Sequence, residues 1–292
     1  MHQPVSGVIA IDKPPGVTSR RVVDAVAAAL GTRAVGHAGT LDPLAAGVVV
    51  VCAGHATKLV DFVHELPKHY AATFLLGRSS ASDDLETEVV EEPAAVRPAR
   101  EAILAALPAF RGAILQRPCD YSAVHVAGRR AYAVARQGRP LDLAAKPVRI
   151  DRLEITGYDW PRLGLDIVCS SGTFVRALGR DLAVALGTRA VMESLVRTAI
   201  GPFTRAQALP LAAIAPDAVR AALLPPLAAV PHLPRATLDD AVLATAVRGG
   251  LVELPAPDGP VAACDEAGDL VGILRRHESG RWRLRPNFRG VG

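Results

Sequence analysis

The chain has 292 residues, half of them hydrophobic, and a formal net charge of +4. These values exclude a globally disordered chain and suggest roughly two domains with enough residues to bury a sizeable core. Arginine far outnumbers lysine, which occurs only at positions 13, 58, 68 and 146. A guanidinium group suits phosphate, but a compositional bias explains most of this excess, so it favours a nucleic-acid partner only weakly.

The four cysteines indicate neither a zinc site nor a disulfide-rich secreted domain, because no two of them are close in sequence. No apolar run reaches the ~18 residues that would span a bilayer. The N-terminus lacks the charged-then-apolar pattern of a signal peptide. We therefore expect a reduced, soluble, cytoplasmic protein with no membrane contact.

The first third of the chain predicts a strand, a helix, a loop and two more strands. The helix begins at Thr18 or Ser19, which cap it, and ends at Gly31. The strands are predicted at residues 7–12, 48–52 and 70–76, and the loop at residues 32–43. Residues 77–88 carry four acidic side chains and are predicted to form an exposed loop.

The remaining patterns mix helices and strands without a repeating βαβ period, so they favour an α+β fold. Helices are predicted at residues 101–107, 131–136, 173–186 and 237–247. A hairpin is predicted at residues 148–158 and 163–169, and short strands at residues 261–265, 270–275 and 281–284. Residues 209–234, which are rich in Ala, Leu and Pro, predict a linker or a proline-broken helical connection.

One carboxylate, Asp42, lies in the stretch GHAGTLDPLAAG (residues 36–47), just before a run of valines. Such a run is typical of a buried strand, and Pro43 holds Asp42 in an extended or turn conformation. Two interpretations are open from this motif alone: a surface turn in which Asp42 bonds its own backbone, or a catalytic carboxylate on a rigid loop. No second carboxylate has an evident reason to share a pocket with Asp42, so a glycosidase with paired carboxylates has no support.

Three other side chains are candidates for the same site. His37 precedes Asp42 by five residues and either orients a ligand or bonds loop backbone. Tyr70 either packs in the core or stacks on a base. Arg176 is poorly placed for the dipole at the start of its helix, which suggests an anionic partner, although a solvated arginine is the ordinary alternative.

The C-terminal end is the strongest charge feature. Residues 275–292 contain six arginines and one acidic residue, Glu278, with Trp282 and Phe288 interleaved. This composition suits phosphate contact with aromatic support. The alternative is a strand whose solvent face happens to be rich in arginine.

Several blocks in order resemble the TruB family of tRNA pseudouridine synthases. Besides residues 36–47, they are DKPPGVTS (12–19), KHY (68–70) followed by LG (76–77), YSAVHVAGRRAY (121–132), SGTFVR (171–176) and LVRTAIGPF (195–203). The C-terminal part resembles, more loosely, the PUA-type RNA-binding domain of that family.

The resemblance implies a catalytic domain at residues 1–208, built around a mixed, mainly antiparallel sheet. A connection at 209–234 and a small β-rich PUA-like domain at 235–292 follow. It also implies conversion of uridine at position 55, in the T loop of tRNA, to pseudouridine, with no cofactor and no metal. The partners would be the T-stem loop of tRNA, with contact on the acceptor side by the C-terminal domain. We expect a monomer with no obligatory protein partner.

The resemblance assigns roles residue by residue. Asp42 would be the nucleophile, Tyr70 would stack on the flipped uracil, and Arg176 would pair with Asp42 and aim it. Substrate-binding positions would be His37, which helps to fill the gap left in the T loop, Phe174 and Leu195, which line the uracil pocket, and also Lys13 and Arg197. Attack of Asp42 on the base and attack on the sugar carbon are both consistent with the sequence.

This sequence departs from the family pattern at three places. Phe174 replaces a tyrosine found in many members, and His125 stands where a lysine is common. The block SASDD (residues 80–84) keeps only part of a Thr-Asp-Thr-x-Asp pattern. The rival functions are a non-catalytic RNA-binding or RNA-folding protein on the same fold, a guide-RNA-dependent synthase and, last, a carboxylate hydrolase.

Overall fold

A computed structural model of the chain describes residues 5–121, 125–126, 129–130 and 143–289. Six α-helices lie in these residues: α1 Ser19–Leu30, α2 Val60–Glu65, α3 Arg100–Ala106, α4 Val175–Ala185, α5 Pro216–Ala222 and α6 Asp240–Val247. The strands of the first half are β1 Gly7–Lys13, β2 Val35–Ala38, β3 Ala46–Ala53, β4 Lys68–Leu76, β5 Arg78–Ser79, β6 Val90–Glu91, β7 Gly112–Gln116, β8 His125–Val126 and β9 Arg129–Arg130. Those of the second half are β10 Lys146–Asp159, β11 Arg162–Cys169, β12 Ala190–Ile200, β13 Phe203–Thr204, β14 Leu209–Pro210, β15 Arg235–Thr237, β16 Val261–Cys264, β17 Leu270–Arg276 and β18 Trp282–Asn287.

A large mixed sheet forms the centre of the fold. Within the described residues its strand order is β14-β1-β3-β12-β4-β11-β10-β7, with β2 added on β3 and β13 on β12. Most neighbours are antiparallel, and the parallel pairs are β1 with β14 and β3 with β12. The α+β prediction with a mixed, mainly antiparallel sheet is therefore confirmed, and β3, β12 and β4 lie side by side at its middle.

Two amphipathic helices pack on this sheet. Thr18 caps α1 by accepting from the Arg21 N–H, and Gly31 ends it in the left-handed conformation at φ 65°, as the sequence predicts. Helix α4 lies so close to β4 that a Cβ atom at Gly179 would be 2.0 Å from the Phe74 ring. Only glycine allows this approach, which fixes α4 on the sheet.

Two loop predictions are wrong in part. Residues 35–38 of the predicted loop form strand β2, which pairs with β3 so that His37 lies opposite Val51. The acidic segment at residues 77–88 is not uniformly exposed, since Ser82 and Asp84 are buried. A polar segment predicts an exposed loop because most loops lie at the protein surface. Here some of the polar side chains bond one another inside the protein. The helix predicted at residues 131–136 lies outside the described residues.

The proline-rich segment at residues 209–234 packs on the large sheet instead of hanging free. Strand β14 pairs with β1, and the backbone of Leu224 exchanges hydrogen bonds with Val8. Val219 on α5 is fully buried in the apolar cluster that also contains Val22 and Val26 of α1. The domain division at residues 208 and 234 stays a prediction, but the segment between them contributes to the core of the first part.

A second sheet, with the order β15-β16-β17-β18, forms the C-terminal part. Residues on its inner face, including Ile273 and Leu270, share one apolar cluster with Val50 and Phe62 of the first part. The Arg275 guanidinium lies over the Phe62 ring, 5.4 Å from its centroid. The small sheet thus packs its apolar face against the larger part, because so small a unit buries too little apolar surface by itself.

Candidate active site

A cavity of about 370 Å³ opens at the middle of the large sheet, between the loop that follows β2 and the loop that precedes α4. It is lined by the side chains or backbone of Gly39, Thr40, Leu41, Asp42, His64, Lys68, Tyr70, residues 170–176, Leu195 and Arg197. Six of the eight residues predicted for the site line this cavity: Asp42, Tyr70, Phe174, Arg176, Leu195 and Arg197. His37 and Lys13 do not.

Asp42 and Arg176 form an ion pair at the cavity wall. Oδ2 of Asp42 lies 2.9 Å from Nη2 of Arg176. The aspartate side chain is 40% exposed, whereas the arginine is 6% exposed. The carboxylate thus faces the cavity while its partner is held inside the protein, and a bound molecule can reach Asp42 without displacing Arg176.

Arg176 is held by four acceptors, of which the sequence motif predicts one. Nη1 donates to the carbonyl oxygen of Ser82 at 2.8 Å and lies 3.1 Å from Oδ2 of Asp84. Nη2 donates to the carbonyl oxygen of Tyr121 at 2.9 Å, besides pairing with Asp42. Each terminal nitrogen therefore meets one carbonyl and one carboxylate, a fork geometry that lysine could not reproduce.

Asp84 is a second carboxylate paired with Arg176, and sequence reasoning missed it. It is 2% exposed, and its Oδ1 accepts from the Ser82 hydroxyl and from the Glu86 N–H. Asp84 does not line the cavity that Asp42 faces, and the two carboxylates are linked through the guanidinium of Arg176 that both of them pair with. The signal in the sequence was the partial match at SASDD (residues 80–84), in which the second serine, Ser82, and the second aspartate, Asp84, are buried.

The carboxylates around Arg176 compensate its positive charge, which lies at an unfavourable position of the helix. Arg176 lies in the first turn of α4, where the helix dipole disfavours positive charge. Burial lowers the pKa of its guanidinium, but the carboxylates, led by Asp42, outweigh burial and raise this pKa above its usual value. Arg176 thus stays charged, and Asp42 always faces a cation.

Tyr70 forms the side of the cavity next to Arg197. The two residues are opposite each other in the β4–β12 pairing, and Tyr70 is 9% exposed. Burial raises the pKa of the Tyr70 hydroxyl, and the nearby Arg197 guanidinium opposes part of that rise. Tyr70 is therefore neutral near pH 7, and it presents an aromatic surface to the cavity.

The Asp42 loop is braced by buried polar side chains from three elements. The Lys13 ammonium group donates to the carbonyl oxygens of Pro14, Pro43 and Ala45. Ser19, on α1, bonds the backbone of Leu41. Arg197, on β12, donates to the carbonyl oxygens of Val48, Thr40 and Gly39. Each end of the loop is thus tied to a different part of the sheet or of α1.

The substrate-contact prediction for Lys13 is corrected by this geometry. Its side chain is 0% exposed, and its three donors point at loop carbonyls, so its contacts support the loop instead of a ligand. Arg197 has the same bracing contacts, although it also borders the cavity. Both residues occur in the matched blocks, but a sequence block does not reveal the direction of a side chain.

Gly47 explains how closely the loop follows β12. It has φ +107°, and a Cβ atom there would lie 2.2 Å from the carbonyl oxygen of Arg197. A side chain at this position would push the loop and the central strand apart. The glycine that ends the GHAGTLDPLAAG motif is therefore required by backbone packing behind Asp42.

His37 lies on β2 and does not line the cavity. Its Nδ1 atom is buried without a hydrogen-bond partner. Burial lowers the pKa of His37, and the positive charge of Arg197 lowers it further. His64, which does line the cavity, also has a pKa lowered by burial and then by Lys68. Both imidazoles are therefore neutral near pH 7.

Phe174 and Leu195 provide apolar surface in the cavity, as predicted. The loop before α4 is tethered on both sides: Lys68 Nζ donates to the Ser171 hydroxyl at 3.3 Å, and Gln116 bonds the Phe174 backbone. Lys68 is 4% exposed, and burial, followed by Arg197, lowers its pKa to about 8. Sequence reasoning did not single out Lys68 or Gln116 as site residues.

The aromatic part of the C-terminal prediction is wrong for Trp282, which is 2% exposed and belongs to the core of the small sheet, whereas Phe288 is half-buried. Three of the six arginines make contacts within the protein. Arg275 lies over Phe62, Arg276 pairs with Asp258, and Arg289 pairs with Asp265. The other three, at positions 281, 283 and 285, are exposed on or beside the edge strand β18.

The described part of the chain contains neither a metal-binding cluster nor a helix that could span a membrane. Within it, no group of three or more His, Cys, Asp or Glu side chains is arranged to hold a metal ion. No helix among these residues is both long and apolar enough to cross a membrane. The four cysteines are all buried as free thiols.

Comparison with known proteins gives the family of this chain. The family model described as TruB family pseudouridylate synthase (N terminal domain) matches residues 28–175. The tRNA pseudouridine synthase B of Mycobacterium tuberculosis (strain H37Rv) is 41% identical over 288 residues, which cover 96% of both chains. The chain belongs to the TruB family. The family suggested by the sequence blocks is thereby confirmed.

A further relative agrees with this assignment, and solved structures share the fold. The tRNA pseudouridine synthase B of Arthrobacter sp. (strain FB24) is 39% identical to this TruB-family chain over 283 residues and 92% of both chains. The archaeal box H/ACA sRNP Nop10-Cbf5 complex contains a chain with the same fold, with a TM-score of 0.73 at 23% identity, covering 97% of this chain and 86% of that chain. A Cbf5-Nop10-Gar1 complex gives a TM-score of 0.75 at 23% identity, with 97% and 85% covered.

Proposed function

We propose that this enzyme isomerises uridine to pseudouridine in the T loop of tRNA, at position 55, with Asp42 as the nucleophile. The observation that carries the proposal is the Asp42–Arg176 ion pair, which opens on a cavity walled by Tyr70. The relatives of nearly equal length are named tRNA pseudouridine synthase B, which supports tRNA as the substrate.

The cavity fits a base that has left its stack. A uridine in a folded RNA loop must be extruded before its glycosidic bond is accessible, at a cost of a few kcal/mol. The extruded uracil finds the Tyr70 ring as a stacking surface and Phe174 and Leu195 as apolar walls. Base–aromatic stacking contributes roughly 1–3 kcal/mol per base, enough to offset most of the extrusion.

The reaction exchanges one bond for another within the same nucleoside. The bond between N1 of uracil and C1′ of the ribose breaks, and a bond between C5 and C1′ forms. The proton on C5 is released and N1 gains one, so no atom or electron is gained or lost. A carboxylate serves as the covalent partner while the base turns over, and both points of attack, the base and the sugar carbon, satisfy this balance.

The surroundings of Asp42 support this role in two ways. Lys13, Ser19 and Arg197 hold the loop backbone in place, so little motion separates Asp42 from its attack position. The buried valines of β3 lie behind the loop and keep that side dry, which protects a reactive intermediate from water. Arg176 keeps a positive charge 2.9 Å from the carboxylate throughout.

The substrate also touches the C-terminal part in this proposal. The exposed arginines at positions 281, 283 and 285 bind phosphates on the acceptor side of the tRNA, while the cavity takes the T-stem loop. The chain acts as a monomer and needs neither a protein partner nor a guide RNA. The alternative, a non-catalytic RNA-binding or RNA-folding protein, needs these arginines but gives no reason for the ion pair at Asp42.

The deciding experiment is incubation of the purified chain with an unmodified tRNA transcript, followed by mapping of pseudouridine. We expect one product position in the T loop, and none with Asp42→Asn, which should bind the transcript as tightly as the parent does. Asp24→Asn is the matched control, because Asp24 is paired with Arg20 on the exposed side of α1. A parent chain that binds tRNA without forming pseudouridine would support the RNA-folding alternative, and equal loss of binding and turnover in Asp42→Asn would contradict the nucleophile role.

A further inference from the structure

Gln116, at the end of edge strand β7, is a buried polar residue that the mechanism above does not use. It is 1% exposed. Its Oε1 accepts from the Phe174 N–H at 2.8 Å, and its Nε2 donates to the Phe174 carbonyl oxygen at 3.1 Å. A carboxamide that spends both ends on one residue fixes the position and the direction of that residue's backbone.

The start of α4 has no cap of its own. Thr18 caps α1 and Asp239 caps α6 through their side chains, whereas Phe174, at the same position of α4, has no side chain that can do so. In a capping box the third helical residue, Glu or Gln, accepts from the backbone N–H of the capping position. That residue is Ala177 here, and Gln116 supplies the missing acceptor from a neighbouring strand.

The residue that Gln116 holds belongs to the cavity. Phe174 lines it, and Arg176, the partner of Asp42, follows two residues later. The Phe174 carbonyl oxygen also accepts the first hydrogen bond of α4, from the Leu178 N–H at 3.0 Å. The Phe174 carbonyl group therefore bonds Gln116 and also begins the first turn of the helix that carries Arg176.

We propose that Gln116 is a positioning residue of the active site, which sets the place of the Phe174 wall and of Arg176 through its two hydrogen bonds. This inference rests on the proposed function. It assigns no contact with substrate to Gln116, because the side chain is covered. Its loss should thus lower turnover more than it lowers the affinity for tRNA, whose contacts are spread over a much larger surface.

The test uses two variants of the full chain and one control. Gln116→Met keeps the length of the side chain and removes both hydrogen bonds. Gln116→Glu keeps the acceptor for the Phe174 N–H but loses the donor while it is ionised. Gln207→Met makes the same change at an exposed glutamine whose side chain accepts from Thr204, away from the cavity. For each variant, kcat, KM for tRNA and the melting temperature are measured.

We expect Gln116→Met to lower kcat about 10- to 100-fold, the effect of a displacement on the order of 1 Å in a site, with KM changed less than about threefold. Gln116→Glu should recover activity relative to the parent as the pH falls, because a protonated carboxyl group can donate again to the Phe174 carbonyl. Burial raises the pKa of a carboxyl group, so this recovery should begin not far below neutral pH. Gln207→Met should match the parent.

The outcomes separate this inference from the function on which it rests. An inactive parent would overturn the proposed function. With an active parent, a folded Gln116→Met variant with parental kcat, or one with only a lowered melting temperature, would overturn the positioning role. If Gln116→Met does not fold, the pH profile of Gln116→Glu decides, and a profile parallel to that of the parent would overturn the inference.

Discussion

The hydroxyl group of Ser19 makes two hydrogen bonds with the backbone of one residue, Leu41, directly before Asp42. It accepts from the Leu41 N–H at 2.9 Å and donates to the Leu41 carbonyl oxygen at 3.1 Å. Both residues are 3% exposed, so water does not compete. The first turn of α1 is thereby fastened to the loop that carries the proposed nucleophile.

Ser19→Ala should therefore reduce both stability and turnover. Two buried backbone groups lose their partner, which costs on the order of 3 kcal/mol of unfolding free energy. The freed loop should lower kcat about 10- to 100-fold. Denaturant unfolding and steady-state kinetics on a tRNA transcript check the two effects.

The neighbouring residue provides the control for Ser19. Thr18 caps the same helix, and its described side-chain hydrogen bond is with the Arg21 N–H and not with the Asp42 loop. Thr18→Ala should cost about 1 kcal/mol of stability and leave kcat unchanged. If both variants lower kcat equally, helix stability and not the contact with Leu41 would be the cause.

Asp84→Asn should destabilise the protein and impair catalysis. It removes a buried carboxylate that pairs with Nη1 of Arg176, and breaking a buried ion pair costs about 3–5 kcal/mol. Of its two described ion pairs, Arg176 would keep only the one with Asp42, and this change should lower kcat at least about 10-fold. Asp181→Asn, which breaks the partly exposed pair with Arg180 on the same helix, should cost no more than about 1 kcal/mol. Parental kcat in a folded Asp84→Asn variant would show that Arg176 needs no second carboxylate.

Replacing the arginines at positions 281, 283 and 285 together by glutamine should weaken tRNA binding and flatten its salt dependence. Each phosphate contact contributes about 0.9 to the slope of log affinity against log salt concentration, so the slope should fall by about 2 to 3. A control with the same loss of charge replaces three exposed, ion-paired arginines on or beside strands of the large sheet: 152, 162 and 189. An unchanged slope in the first variant would exclude a phosphate role for β18.

Acidification should destabilise the fold through His37 and His64. Burial lowers the pKa of both imidazoles in the folded protein, whereas in the unfolded chain they titrate at about 6.5. The unfolded chain therefore binds more protons below that pH, so stability falls as the pH drops through 6.5 and levels off below the folded pKa values. Melting temperatures between pH 7.5 and pH 5 should fall less for a His37→Gln, His64→Gln double variant than for the parent. Parallel curves for the two proteins would contradict this assignment.

Much of the fold follows from local patterns. The stripe and caps of α1, the hairpin of β10 and β11, and the valine run of β3 are each specified by a few adjacent residues. The elements that the patterns missed depend on distant partners. Strand β2 exists because β3 offers it an edge, and residues 209–224 are ordered by pairing with β1 and packing against α1. Such long-range pairings leave no periodic signal.

Short blocks with strict turn and strand requirements were enough to predict the family, the α+β class and three residues that line one cavity, Asp42, Tyr70 and Arg176. The contacts of Lys13, Asp84 and Gln116 could be read only from the folded chain. Their side chains are buried. Lys13 bonds Ala45, 32 residues away along the chain, Gln116 bonds Phe174, 58 residues away, and Asp84 pairs with the still more distant Arg176. A buried polar group is stable only with partners, and the chain brings those partners together only when it folds.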